Sequence, residues 1–137
     1  MGGFDILFDR DISHACLQEA ISQVMNIAVS RVILIEDVAA YPTREESDCV
    51  CIVRRAGGQF FLHAAIDYEE KFWAGSSADC VVRLASFLQC NCLISDESVN
   101  PYRMIHVSRA GALRAVFVDV VALDQRGEYN VDASSAG

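Results

Sequence analysis

The segment LIEDVAAYPTR, Leu34 to Arg44, returns without a gap as LISDESVNPYR, Leu93 to Arg103, with Leu, Ile, Asp, Pro and Arg at matching places. A short chain that repeats itself is constrained to build its fold from two similar units, neither of which buries its own apolar face. The neighbourhoods agree as well. Val53-Arg54-Arg55-Ala56-Gly57 echoes Val107-Ser108-Arg109-Ala110-Gly111, and Ser13, Cys16 and Ser22 echo Ser77, Cys80 and Ser86.

Hydrophobic periodicity supplies the elements. Phe4, Ile6 and Phe8 alternate with Asp5 and Asp9, which predicts a half-buried strand. Ile12, Cys16, Ala20 and Val24, with Leu17 and Ile21 beside them, trace one stripe of an amphipathic helix over Ser13 to Asn26, capped by Asp11 or Ser13. Val32 to Ile35 reads as a strand, followed by a polar loop through Pro42. Cys49 to Val53 and Phe60 to Ile66 then form a hairpin around Arg55-Ala56-Gly57-Gly58. The second half keeps this order. Ser76 or Ser77 caps a helix that turns Ala78, Val81, Val82, Ala85 and Leu88 to the core. A strand at Cys92 to Ile94 follows, then a loop through Pro101 and a hairpin of Met104 to Val107 with Arg114 to Val120.

The expected fold is α+β: a mainly antiparallel sheet of six or seven strands with two helices on one face, built from a duplicated αβββ unit over about 11–67 and 75–124. With 137 residues, 53% of them hydrophobic, the chain suffices for one domain, 1–126. The segment GEYNVDASSAG, 127–137, reads as a partly disordered tail. No apolar run reaches a membrane span, and MGGFDILFDR carries acids where a signal peptide carries bases, so a cytoplasmic protein without membrane contact is expected.

The six cysteines, at 16, 49, 51, 80, 90 and 92, are expected to be buried and reduced. Cys49/Cys51 and Cys90/Cys92 would each present two thiols to one side of a strand. Structural zinc sites use wider spacings, however, and the second half has Ile105 where the first has Cys51, so no metal or other cofactor is expected. His14, His63 and His106 sit in no nucleophile or acid–base motif, and neither a phosphate-cradling glycine loop nor a G-x-S-x-G elbow occurs, so catalysis is not expected.

Charge is the remaining signal. Nineteen acids against 11 bases give −8, which disfavours nucleic acid and anionic lipid and favours a basic partner. The acids cluster at strand ends: Glu36-Asp37, Glu45-Glu46-Asp48, Asp67-Tyr68-Glu69-Glu70 and Asp96-Glu97. The repeat would set Asp37 and Asp96 at equivalent places on one acidic rim. Phe72-Trp73 either anchors a partner or staples the entry of the second helix, and the staple is the better fit.

Leu93 to Arg103, with Val121-Ala122-Leu123-Asp124-Gln125-Arg126-Gly127-Glu128-Tyr129, resembles the small acidic immunity proteins of bacterial polymorphic toxin systems, including contact-dependent growth inhibition. The resemblance lies mainly within 93–129 and carries no functional residue over by position. It implies a cytosolic, non-enzymatic protein that neutralises one cognate toxin domain, often a basic nuclease. Asp37, Glu45, Glu46, Asp67, Glu69, Glu70, Asp96 and Glu97 are the expected contacts, with Tyr68 and Trp73 as anchors, in a monomer. Two alternatives stand beside it: a type III-like secretion chaperone that holds an effector segment, and a small enzyme or ligand-binding domain that uses the cysteines.

Overall fold

The structure, a computed structural model, describes residues 2–43 and 45–132. Seven strands form one sheet: β1 Gly2–Phe8, β2 Val32–Ile35, β3 Cys49–Arg55, β4 Leu62–Tyr68, β5 Cys92–Ser95, β6 Arg103–Val107 and β7 Leu113–Phe117. Their order is β2-β3-β4-β1-β5-β6-β7, antiparallel throughout except for the parallel pair β2–β3. The class is α+β, as expected. β1 is the central strand and joins the two halves, with Phe8 opposite Leu62 of β4 on one side and Cys92 of β5 on the other.

Helices α1, His14–Met25, and α2, Ser77–Leu88, pack against each other on one face of the sheet. Each starts at a serine whose hydroxyl accepts a backbone N–H three residues on: Cys16 N to Ser13 Oγ at 3.2 Å, and Asp79 N to Ser76 Oγ at 3.1 Å. Each ends at a left-handed residue, Asn26 or Gln89. The buried stripe of α1 is Leu17, Ala20, Ile21 and Met25. Cys16 lies one residue off this stripe, about 100° round the helix, and is exposed, contrary to the expectation that every thiol is buried. Ser76→Ala should cost about 1 kcal/mol by leaving an orphan N–H at the start of α2, readable as a lower urea midpoint with an unchanged slope.

Beneath these helices Ile6, Phe8, Cys49, Cys51, Val53, Leu62, Ala64, Ile66, Cys92 and Ile94 form the main core. The opposite face carries a second core of Leu7, Phe60, Leu93, Met104, Val116 and Val118. It is roofed by a third helix, α3 Val120–Arg126, and by the segment that follows it, so helices occupy both faces of the sheet. Sequence periodicity ran β7 on to Val120. The stronger local signals were Asp119, whose carboxylate accepts from Ala122 N, and Gly127, which ends α3 in a left-handed conformation.

Of the segment expected to be a partly disordered tail, residues 127–132 are joined to the domain. Phe60 N donates to Tyr129 O, Gln59 N to Asn130 Oδ1, Asp119 N to Asn130 O and Asp132 N to Phe117 O, while Tyr129 and Val131 pack on the second core. Polar composition hid these residues because their backbone groups, not their side chains, do most of the joining. Residues 133–137 lie outside the described residues.

Both halves run helix, strand, strand, strand, and both second and third strands form an antiparallel hairpin. The first pairings differ, because β2–β3 is parallel and β5–β6 antiparallel. A parallel return must carry the chain back along the sheet, which is why the connection 36–48 is longer than 96–102. The repeated segment has a local cause. In both copies the shared aspartate follows a strand and turns the chain, Asp37 Oδ1 accepting from Ala39 N and Asp96 Oδ1 from Ser98 N, each at 2.9 Å.

Candidate functional site

The strands place most of the clustered acids at one end of the sheet. β3 starts there after Asp48, and β4 ends there at Tyr68-Glu69-Glu70. The long connection from β2 returns to the same end carrying Glu45 and Glu46. Arg31, just before β2, fastens this return: Arg31 Nη1 donates to Glu45 O, Arg31 Nη2 meets Asp48 Oδ1 at 3.1 Å, and Asp48 N donates to Arg31 O. The bond to Asp48 raises the Arg31 pKa above its ordinary value. Glu69 N donates to Asp48 O at 3.4 Å, and Tyr41 Oη donates to Asp67 Oδ2 at 3.1 Å. Glu45, Glu46, Asp67, Glu69 and Glu70 thus share one rim with Asp48. Among the described residues, Arg31 pairs with Asp48 there and Lys71 lies 3.6 Å from Glu69.

Glu97 stands at the same end, beyond β1, because β4 and β5 both run opposite to β1. It lines a shallow recess of about 230 Å³ with Gly3, Phe4 and Ser77. Gly3 links the two parts. A Cβ on Gly3 would lie 2.7 Å from Asp67 Oδ1, so glycine is what lets that carboxylate lie over the central strand.

The remaining expected contacts are placed otherwise. Asp37 is at the opposite end of the sheet from Asp96, since β2 and β5 run in opposite directions, so the repeat does not align the two into one rim. Asp96 is at the rim end, but its side chain is only 10% exposed; it accepts from Ser98 N and pairs with Arg103 Nε at 3.3 Å. These interactions, led by the Ser98 backbone bond, hold its carboxyl below the ordinary range. It shapes its own loop. Tyr68 is 7% exposed and meets Phe4 edge-on at 6.1 Å, which makes it a core residue and not an anchor. Trp73 donates its indole N–H to Ser76 O at 2.9 Å, lies under the Arg83 guanidinium at 5.4 Å and packs, partly buried, against the main core at the entry of α2.

The aromatic that does stand open at the rim is Tyr41, 39% exposed, beside Pro42, Asp48, Asp67 and Glu69. Burial of part of its ring and the nearby Asp67 raise its pKa, so it remains a neutral phenol and donor. Sequence reading passed over it as a loop residue inside the repeated segment.

The cysteines lie mostly within the core. Burial pushes Cys49 and Cys80 up to about 12 and raises Cys51 further, which keeps these thiols protonated at neutral pH. Among the described residues no group of three or more His, Cys, Asp or Glu is arranged to hold a metal. His14 pairs with Glu36 at 3.4 Å beside an open recess of about 440 Å³ at the end away from the rim. His63 meets Asp5 at 3.2 Å in a cleft of about 600 Å³ between β1 and α3. Ser95 lines that cleft too, but its hydroxyl accepts from Glu97 N.

His106 packs edge-on against Phe60 at 5.9 Å, and burial, with Arg114 nearby, lowers its pKa from 6.5. The unfolded chain takes up this proton more readily than the folded one, so the contribution is full above the unfolded value and is lost as pH falls below it. The stability of the wild type relative to His106→Gln should therefore decline between pH 7.5 and 5, measured by urea unfolding at each pH.

No helix among the described residues is long and apolar enough to cross a membrane. Comparison with protein-family models, with curated proteins and with solved structures found no match.

Proposed function

We propose that the protein is a cytosolic immunity protein, a non-enzymatic inhibitor that binds a cognate toxin domain of basic, nuclease-like surface. The observation that carries this reading is the convergence of Glu45, Glu46, Asp48, Asp67, Glu69 and Glu70 on one rim, where the exposed ring of Tyr41 stands beside Asp48, Asp67 and Glu69. A groove built to hold phosphates presents lysine and arginine, and a rim of carboxylates is complementary to it. Such complementarity speeds encounter and disfavours neutral or acidic partners. Tyr41 supplies what charge alone lacks, an amphipathic ring that can be desolvated at the centre of the contact. Inhibition then follows from occupancy of the groove, and no residue of this chain needs to do chemistry.

The secretion-chaperone reading has one observation in its favour. Leu113, Phe117, Val120 and Val121, on β7 and the start of α3, are 44–55% exposed, and apolar surface of that kind suits an extended effector segment. Capture of the tagged protein from its native lysate at low salt, followed by a salt titration, separates the two. Recovery of a small basic domain that leaves as salt rises and is toxic when expressed alone supports the immunity reading. A partner that stays bound at high salt through β7 would overturn it in favour of the chaperone.

A further inference from the structure

The central strand is paired unequally on its two sides. Toward β4 every residue of β1 from Gly2 to Phe8 is in register, whereas toward β5 only Leu7 and Phe8 are. The direction of its backbone groups follows from Asp9, whose N–H donates to Asn91 O on the β5 side. Successive residues of a strand direct their N–H and C=O to alternate sides, so Leu7, Asp5 and Gly3 direct theirs toward β5 as well. Leu7 meets Leu93 there, and Asp5 and Gly3 lie beyond the last pair. The sheet is therefore split at its rim end. The recess of about 230 Å³ on the α1 and α2 face and the cleft of about 600 Å³ on the α3 face are both lined by Asp5 and Ser95, one from each lip of the split. Gly3, Asp5 and Ser95 are exposed.

An accessible strand edge is a template for another strand, and the surroundings of this one select what fits. On the α3 face the Asp5 side chain is 72% exposed and meets His63 at 3.2 Å. Asp67, directly opposite Gly3 on β4, lays its carboxylate where a Cβ of Gly3 would be. Two carboxylates thus stand two residues apart along one side of the edge. Arg103, in the cleft wall, is engaged by Asp96 at 3.3 Å. On the other face Phe4, Ile94 and Glu97 line the recess.

We infer that the free edge of β1 takes up an extended, basic segment of a partner protein as an added strand, reading a basic, an apolar and a basic residue in succession. The two basic residues lie opposite Gly3 and Asp5, exchange backbone hydrogen bonds with them, and turn their cationic side chains to Asp67 and Asp5. The residue between them projects to the other face and enters the recess beside Phe4 and Ile94. The outer edge at β7 does not suit the same segment, since its charged side chain is Arg114 and Phe117 O already accepts from Asp132 N. The inference stands whether or not the partner is a toxin.

The test is an NMR titration of the isotope-labelled full chain with the blocked peptide acetyl-Ser-Lys-Val-Lys-Ser-amide at low salt. The amides of Gly3 and Asp5 should shift and, at saturation, exchange with solvent roughly fivefold more slowly or better. N-methylation of both lysine nitrogens removes the donors that face β1 and should weaken binding roughly 10-fold. Asp5→Lys should weaken it by a similar factor. Because the N-methyl groups are on the peptide, that result does not depend on a protein variant folding. Undiminished binding of the N-methylated peptide, or equal binding of acetyl-Ser-Lys-Lys-Val-Ser-amide, would mean that charge alone attracts the peptide and would overturn the inference. Protection confined to β7, or no binding at all, would overturn it too.

Discussion

Lysine at Glu45, Glu46, Glu69 and Glu70 together is expected to slow association with the basic partner roughly 10- to 1,000-fold at low salt, with little change in folding stability. These four side chains lie in the connections at the end of the sheet, Glu70 at the start of a single 3-10 turn, and belong to neither core. The effect should fall mainly on the association rate, since rim charges steer encounter more than they hold the complex. It should shrink as ionic strength rises and the screening length falls to about 8 Å near 0.15 M. Stopped-flow association across a salt series measures both features. Reversal of Asp37 to lysine serves as the internal control, because that residue stands at the far end of the sheet and should leave the rate nearly unchanged. A quadruple variant that associates as fast as wild type at low salt would remove the rim from the account.

Phe8→Ala is expected to cost about 3–5 kcal/mol. Phe8 is 0% exposed, on the central strand and beneath both helices. Its loss opens a cavity where β4, β1 and β5 meet, so the two halves of the sheet lose a shared contact at once. Urea unfolding should show a lower midpoint with an unchanged slope. A cost below about 1 kcal/mol would mean the site collapses freely and that β1 does not organise the core as described.

What the sequence made legible was whatever a single local rule decides. Alternation of Phe4, Ile6 and Phe8 marked β1, and two serine-capped stripes marked α1 and α2, because helix and strand periods are properties of neighbouring residues. The direction of β2 was not legible. Nothing in VILI distinguishes a strand that pairs parallel to β3 from one that pairs antiparallel, and the repeated segment, which reports only a strand exit and an aspartate turn, suggested the wrong equivalence. That equivalence put Asp37, part of the Glu36-Asp37 pair at a strand end, on the same rim as Asp96. The shared position of Glu45, Glu46, Asp67, Glu69 and Glu70 was legible because acids at the ends of paired strands meet wherever the strands meet. Tyr41 was missed because its exposure depends on how the connection 36–48 crosses the sheet, a long-range feature. Tyr68 was misread for the converse reason: its place among acids suggested surface, whereas strand alternation, one residue on from Asp67, turns it into the core.

Whether the acidic rim neutralises a toxin is decided by growth protection. The basic domain recovered by capture is expressed alone, with the wild-type chain, and with the chain carrying lysine at 45, 46, 69 and 70. Arrest is expected with the domain alone, normal growth with the wild-type chain, and arrest again with the rim variant at equal protein level. Full protection by the rim variant, or no protection by the wild type, would contradict it.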